Sequence, residues 1–422
     1  MREAVLAVLL LVGIAPANSA ETNPSAPTEA VARERRWQED LDYLVRELPA
    51  KHKDFFKLIP KPKFKSEISG LKDELPQLSD AQVVLRLKRL LAGLGVAHTG
   101  VGWPSGALAF NQYPISLYWY SDGPAVLSAA SEHREAVGAR VVGIGSLTPE
   151  QAEAAVAPYI SHENSGGLHA ASPRYLETPE VLQCLGIAGP DGHMQLSLVA
   201  RDGKPLTLQL SPLEPGRPVQ WTTVWKELSL PTPLNHTRGT AYWYQYLPEA
   251  RALYVHYRHC RNDPRYPFAS FVRDVFACAD ANSVRRVIVD LRDNSGGDSM
   301  VVKPLVKGLK SHARFKKKGG VYVLIGRHTF SSGIFAARDL RDEVHAILVG
   351  EPTGAKPNGY GNAPSFRLPN SKLEVSYCIS YFTLVKGGNP AAIDPDIPAS
   401  LSLADLLAGR DPALEIALHH VP

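Results

Sequence analysis

From about residue 240 the chain alternates short, continuously apolar runs with longer amphipathic ones, and that alternation restricts the fold more than any other feature. The runs Ala252–Tyr257, Arg286–Leu291, Gly320–Ile325 and Ala346–Val349 have the length of strands. Segments 267–280, 301–312 and 332–343 between them carry helical spacing. A run such as Val287-Ile-Val is apolar on both faces, so it belongs to a strand covered on both sides, as in a parallel sheet flanked by helices. In such sheets ligands bind outside the C-terminal ends of the strands, and three loops leave the strands there.

Those loops hold the residues with chemistry. Asp290-Leu-Arg-Asp-Asn-Ser-Gly-Gly297 ends in two adjacent glycines, which let the backbone present free amides to a ligand. An oxyanion hole needs such donors, although a plain tight turn uses the same residues. His328-Thr-Phe-Ser-Ser-Gly333 opens a helix, where a serine meets a positive dipole and unpaired amides. Taken alone, Ser331 and Ser332 read first as helix caps. Gly350-Glu-Pro-Thr-Gly-Ala-Lys-Pro-Asn358 places Lys356 in a shaped loop; if desolvated there, it can serve as a general base, and otherwise it is a solvated charge.

Upstream, residues 31–92 read as helical, with Trp37, Leu41, Leu44 and Leu48 on one face and Ser79 as an N-cap. Residues 51–65 read as a polar connection. From 113 to 212 the pattern is β-rich: strands begin at Pro114, Pro124 and Gly138, a helix opens at Thr148, and a hairpin closes around Asp202-Gly203. Residues 157–185 read as an irregular insertion. The domain bounds that follow are 28–105, 110–215 and 235–410.

Residues 1–20 read as a signal peptide: Arg2, an apolar core from Ala4 to Ala15, and small residues Ala17-Asn-Ser-Ala20 before a cut. No later segment is apolar enough to span a membrane, so the expectation is an exported protein, periplasmic or secreted. The 46 Lys and Arg against 42 Asp and Glu leave a net charge of +4 over 422 residues, too weak to suggest nucleic acid as a partner. The basic stretch from Lys303 to Lys318 reads as a solvated face. Four cysteines lack metal-ligand spacing, and a Cys260–Cys278 bridge stands beside buried thiols as an equal alternative. Nothing calls for a cofactor or a metal.

The order and spacing of the three loops resemble the S41 serine peptidases: the C-terminal-processing, tail-specific and tricorn-core proteases, with the interphotoreceptor retinoid-binding proteins as relatives. Gly95-Val-Ala-His-Thr-Gly resembles the family's helical N-terminal domain, Gly138-Ala-Arg-Val-Val-Gly-Ile-Gly its PDZ-like domain, and Asp394-Pro-Asp-Ile-Pro its C-terminal element. The resemblance implies an α/β chain with a ClpP/crotonase-like core, an N-terminal helical domain and a PDZ-like β-rich domain. It puts the nucleophile at Ser331, with Ser332 as the alternative because Ile334 stands where the family pattern has Glu. The oxyanion hole would come from Gly296 or Gly297 together with the Ser332 amide. The tail-specific branch implies Lys356 as the base and the tricorn branch implies His98; the surrounding chain reads more like the latter. No acid clearly matches the tricorn glutamate, leaving Glu374, Asp394 and Asp396.

Two functions follow from the resemblance. One is an exported endopeptidase acting on unfolded or extended polypeptides through an acyl-enzyme, with the bound substrate adding a strand to the PDZ-like edge. The other is a catalytically silent binder of a small apolar ligand on the same fold, which would have no need of Ser331. A crotonase-like acyl-CoA enzyme is disfavoured, because an exported protein does not normally meet CoA.

Overall fold

The computed structural model describes residues 28–230 and 239–422. The signal-peptide reading of residues 1–20 lies outside the described residues. At the N-terminus, helices Glu29–Lys51, Lys61–Glu74 and Asp80–Ala92, with the short Phe55–Leu58, bury Trp37, Leu41, Leu44, Leu48, Phe64 and Leu87. The Ser79 cap is present as a full capping box with Gln82. The stretch read as a polar connection is itself largely helical, because Phe55 and Phe64 turn inward and pack edge to face at 4.9 Å.

This helical cluster also takes in Val101, Leu368, Leu373 and Val375. Strand Gly100–Val101 pairs antiparallel with Glu374–Ser376, which pairs in turn with Ser365–Arg367. The C-terminal half of the chain is therefore stitched to the helical cluster at the residues that directly follow His98.

The β-rich unit is a sheet in the order Ile115–Tyr120, Gly123–Ala130, Arg140–Ile144, Met194–Val199, Pro205–Leu210, with Trp221–Thr223 also paired to the second strand. Residues read as an irregular insertion form helices Ser165–Leu176 and Pro179–Cys184. Gly166, Gly167 and Pro173 disfavour a helix locally; the Asn164 cap and burial of Tyr175 and Leu176 override that propensity. The outer strand Ile115–Tyr120 is not a free edge, since the Glu177 side chain accepts from the Leu117 amide at 2.6 Å and its carbonyl from Tyr113. Strand addition there would have to displace the chain's own Glu177.

The third unit is a six-stranded sheet in the order Ile397–Pro398, Ile347–Gly350, Val321–Ile325, Arg286–Asp290, Ala252–Tyr257, Tyr242–Leu247. All neighbours are parallel except the last pair. Helices Phe268–Ala281, Lys303–Ser311 and Ser332–Val344 cover one face. Helix Pro412–His419 covers the other, where Trp243, Tyr254, Ile288, Tyr322 and Leu324 are buried. Covering on both sides explains why these strands are apolar throughout. All four cysteines are free thiols.

Candidate active site

Ser331 is the N-cap of helix Ser332–Val344, which follows strand Val321–Ile325 after a turn over residues 326–330. Its backbone sits at φ 51°, ψ −125°, a conformation that costs a non-glycine residue roughly 1–3 kcal/mol and marks a sharp strand-to-helix elbow. Thr329 holds that turn: its hydroxyl donates to the Leu291 carbonyl at 2.7 Å and accepts from the Gly326 amide at 3.0 Å. The Phe330 amide donates to the Asn294 carbonyl at 2.9 Å. The Ser331 turn is thus bolted to the neighbouring glycine loop.

That loop is fixed from beneath. Asp290 accepts from Arg292 and from the Tyr254 hydroxyl at 2.6 Å, while Arg292 continues to Asp411 at 2.8 Å. Fully buried Asn294 accepts from the Gly296 amide at 2.9 Å and donates to the Tyr257 carbonyl at 2.7 Å. Gly296 has φ +99°; a Cβ on it would stand 2.6 Å from Ser331 Cβ and 2.9 Å from the Ser332 amide nitrogen. Only glycine brings this backbone so close to the serine.

The Gly296 amide is already bonded to Asn294, whereas Gly297 and Ser332 line the cavity beside Ser331. The Ser332 hydroxyl donates to the Gly297 carbonyl at 2.5 Å, so it braces the loop while Ser331 stands at the elbow.

A cavity of about 620 Å³ brings Ser331, Ser332, Gly297, His98 and Lys356 together; Ile334, Phe335, Phe382 and Leu384 supply apolar wall. The His98 ring stacks on Phe330 at 4.4 Å between centroids and 22° between planes. Neither ring nitrogen has a hydrogen-bond partner, and burial pushes the pKa down from 6.5 to about 4, so the ring is neutral at neutral pH. Its chain neighbour Thr99, fully buried, bonds His52 Nε2 at 2.9 Å and Cys378 Sγ at 3.4 Å.

The acids left open by the sequence do not line this cavity. Glu374 is exposed and accepts from the Ser365 hydroxyl; Asp396 accepts from the Leu348 amide at 2.8 Å; Asp394 lies in the same C-terminal segment. Two acids do line it: Asp298, beside Gly297, and Glu163, from the segment read as an irregular insertion. Glu163 accepts from the Ala97 amide at 3.2 Å and the Lys356 amide at 3.1 Å. Burial raises its pKa, partly offset by those two amides and by the Lys356 charge. No local pattern marks it.

A larger cavity, about 720 Å³, has Ala97 and Phe330, the chain neighbours of His98 and Ser331, in its wall. Its lining mixes Tyr118, Tyr120 and Trp225 with His256, Arg258 and Asp293. Among the described residues no group of three or more His, Cys, Asp or Glu side chains is placed to hold a metal ion, and no helix is long and apolar enough to cross a membrane.

Solved structures match this arrangement over nearly its whole length. Mature CPAF complexed with lactacystin superposes with a TM-score of 0.62 at 13% identity, covering 91% of this chain and 97% of the other. Mature CPAF alone gives 0.62 at 14% identity, with 91% and 96% covered. The chain shares the fold of mature CPAF. The photosystem II D1 C-terminal processing protease also aligns over 92% of this chain, at a TM-score of 0.41 and 14% identity. Identities this low carry the fold and not the residue roles. No family model and no curated protein matches the chain.

Proposed function

We propose that the protein is a serine-type endopeptidase that hydrolyses unfolded or extended polypeptides through an acyl-enzyme on Ser331. The observation that carries this is the convergence of an elbow serine, a helix N-terminal amide and a glycine loop at one cavity. An uncommitted cap would not need the strained backbone.

In this reading Ser331 Oγ attacks the scissile carbonyl carbon and its proton passes to a base. The carbonyl oxygen becomes an anion, stabilised by the Gly297 and Ser332 amides at the positive end of a 13-residue helix. The leaving amine takes the proton and departs. Water, deprotonated by the same base, then releases the acyl group. His98 is the base we favour: it is neutral, lies against Phe330, and has two unpartnered nitrogens. Lys356 lines the same cavity, and its amide is anchored by Glu163. The remaining assignments belong to this proposal as well: a ClpP/crotonase-type core, a PDZ-like middle unit, and export directed by residues 1–20.

The silent-binder alternative wants an apolar cavity. The larger cavity sets Tyr118, Tyr120, Leu127 and Trp225 beside Arg258, Asp293 and the paired Arg327 and Glu351, so the two readings separate on the need for Ser331. The test is hydrolysis of unfolded casein and a fluorogenic peptide library by the protein and its Ser331→Ala variant. Cleavage by the first alone supports the peptidase; no cleavage by either refutes it. Sequencing the N-terminus of protein recovered outside the cytoplasm tests the export reading, with Glu21 as the expected first residue.

A further inference from the structure

We propose that Glu163 is the positioning residue of this site, a carboxylate lent by the β-rich unit that holds the His98 and Lys356 loops in one arrangement around Ser331. The inference rests on the serine-peptidase reading and deepens it.

The geometry is that of a bracket. One carboxylate oxygen takes the Ala97 amide, directly before His98; the other takes the Lys356 amide. Those loops come from different units, 66 and 193 residues away along the chain. Neighbouring residues fasten the same bracket. The Ser161 hydroxyl donates to the Thr99 carbonyl at 2.8 Å, and Asn164 Nδ2 donates to the carbonyls of Thr353 at 3.0 Å and Ala391 at 2.8 Å. Of these four consecutive residues Ser161 holds the His98 loop, Asn164 the Lys356 side, and Glu163 both.

Glu163 differs from the other two in its charge and its place on the cavity wall beside Ser331 and His98. Hydrogen bonds to a carboxylate are about twice as strong as neutral ones, and of the three residues Glu163 alone bonds both loops. When the base takes the serine proton, positive charge forms in a poorly solvated chamber. A fixed carboxylate there favours that charge without having to reorganise. The group needs no contact with substrate to do this; it acts through the loops it holds and through its field.

A residue that merely stabilises the fold would change melting temperature and leave turnover per folded molecule alone. The test compares the full chain with Glu163→Gln and Glu163→Asp. It measures melting temperature, kcat and KM on a fluorogenic peptide, and the rate at which a fluorophosphonate labels Ser331. Gln keeps the size but loses the charge and one acceptor; Asp keeps the charge with a shorter reach. The expected result is a kcat at least thirtyfold lower for Glu163→Gln with KM within threefold and labelling slowed in parallel, and Glu163→Asp lying between it and the unaltered protein. Unchanged kcat and labelling in Glu163→Gln would overturn the proposal. Should Glu163→Gln not fold, Glu163→Asp decides by the same rates: about tenfold slower supports, unchanged overturns. An unaltered protein that neither cleaves nor labels would instead sink the peptidase reading, and this inference with it.

Discussion

If His98 is the base, its burial fixes the acid limit of catalysis. Stacking on Phe330 at 4.4 Å removes water from the ring, and neither nitrogen gains a bond in return. The pKa falls from 6.5 to about 4, equivalent to roughly 3 kcal/mol against the imidazolium. At pH 5 an ordinary histidine would be about 3% neutral, whereas this one would be about 90% neutral, a roughly thirtyfold difference in active base. The assay is kcat/KM between pH 3.5 and 8 on a peptide with blocked termini and no titrating side chains, because that ratio reports the free enzyme. The acid limb should fall near pH 4. Stability gives an independent reading. The unfolded chain protonates His98 below 6.5 and the folded chain resists until about 4, so the protein loses stability across that window as pH falls. Relative to His98→Gln, the loss should reach about 3 kcal/mol by pH 4 and be absent at pH 7. An acid limb at 6.5 or higher, with no excess acid sensitivity, would refute the argument and move the base to Lys356.

Gly296→Ala should lower kcat by at least about a hundredfold, the usual effect of spoiling an oxyanion donor, because its Cβ would strike Ser331 Cβ and the Ser332 amide; activity within threefold of normal would contradict the placement. Ser332→Ala removes the brace on the Gly297 carbonyl and should cost about tenfold in kcat, measured against the near-complete loss expected of Ser331→Ala; the reverse order would exchange their roles. Thr99→Val leaves buried His52 Nε2 without its hydroxyl partner and should destabilise the fold by about 1–3 kcal/mol in urea unfolding, with a lower kcat through the displaced His98; a neutral effect on both would argue against Thr99 as the anchor of that loop.

Legibility in the sequence follows the range of the interactions. The core strands are visible because burial on both faces writes itself into consecutive residues such as Val287-Ile-Val, and their ends shift by a residue or so. The glycine loop and the Ser331 turn are legible because each is a contiguous motif with a local backbone demand. His98 enters only through resemblance, since it has no local signature, and Lys356 is marked only by its Gly- and Pro-shaped loop. Glu163 escapes altogether: its partners lie 66 and 193 residues away, and its segment contains Gly166, Gly167 and Pro173, which read as irregular. Packing of Tyr175 and Leu176 makes that segment helical and so sets the Ser161–Asn164 bracket at its start. The choice between the Gly296 and Gly297 amides was equally invisible, because it depends on where the Asn294 side chain spends its acceptor.

The central claim is that Ser331 is an activated nucleophile. Its most direct test is to treat the protein with a fluorophosphonate, weigh the intact adduct, and map it by peptide digestion. The account predicts one equivalent bound at Ser331, loss of peptide hydrolysis in step with labelling, and no adduct on a folded Ser331→Ala variant. A protein that stays unlabelled, or that carries the adduct on Ser332 with hydrolysis intact in Ser331→Ala, would contradict it.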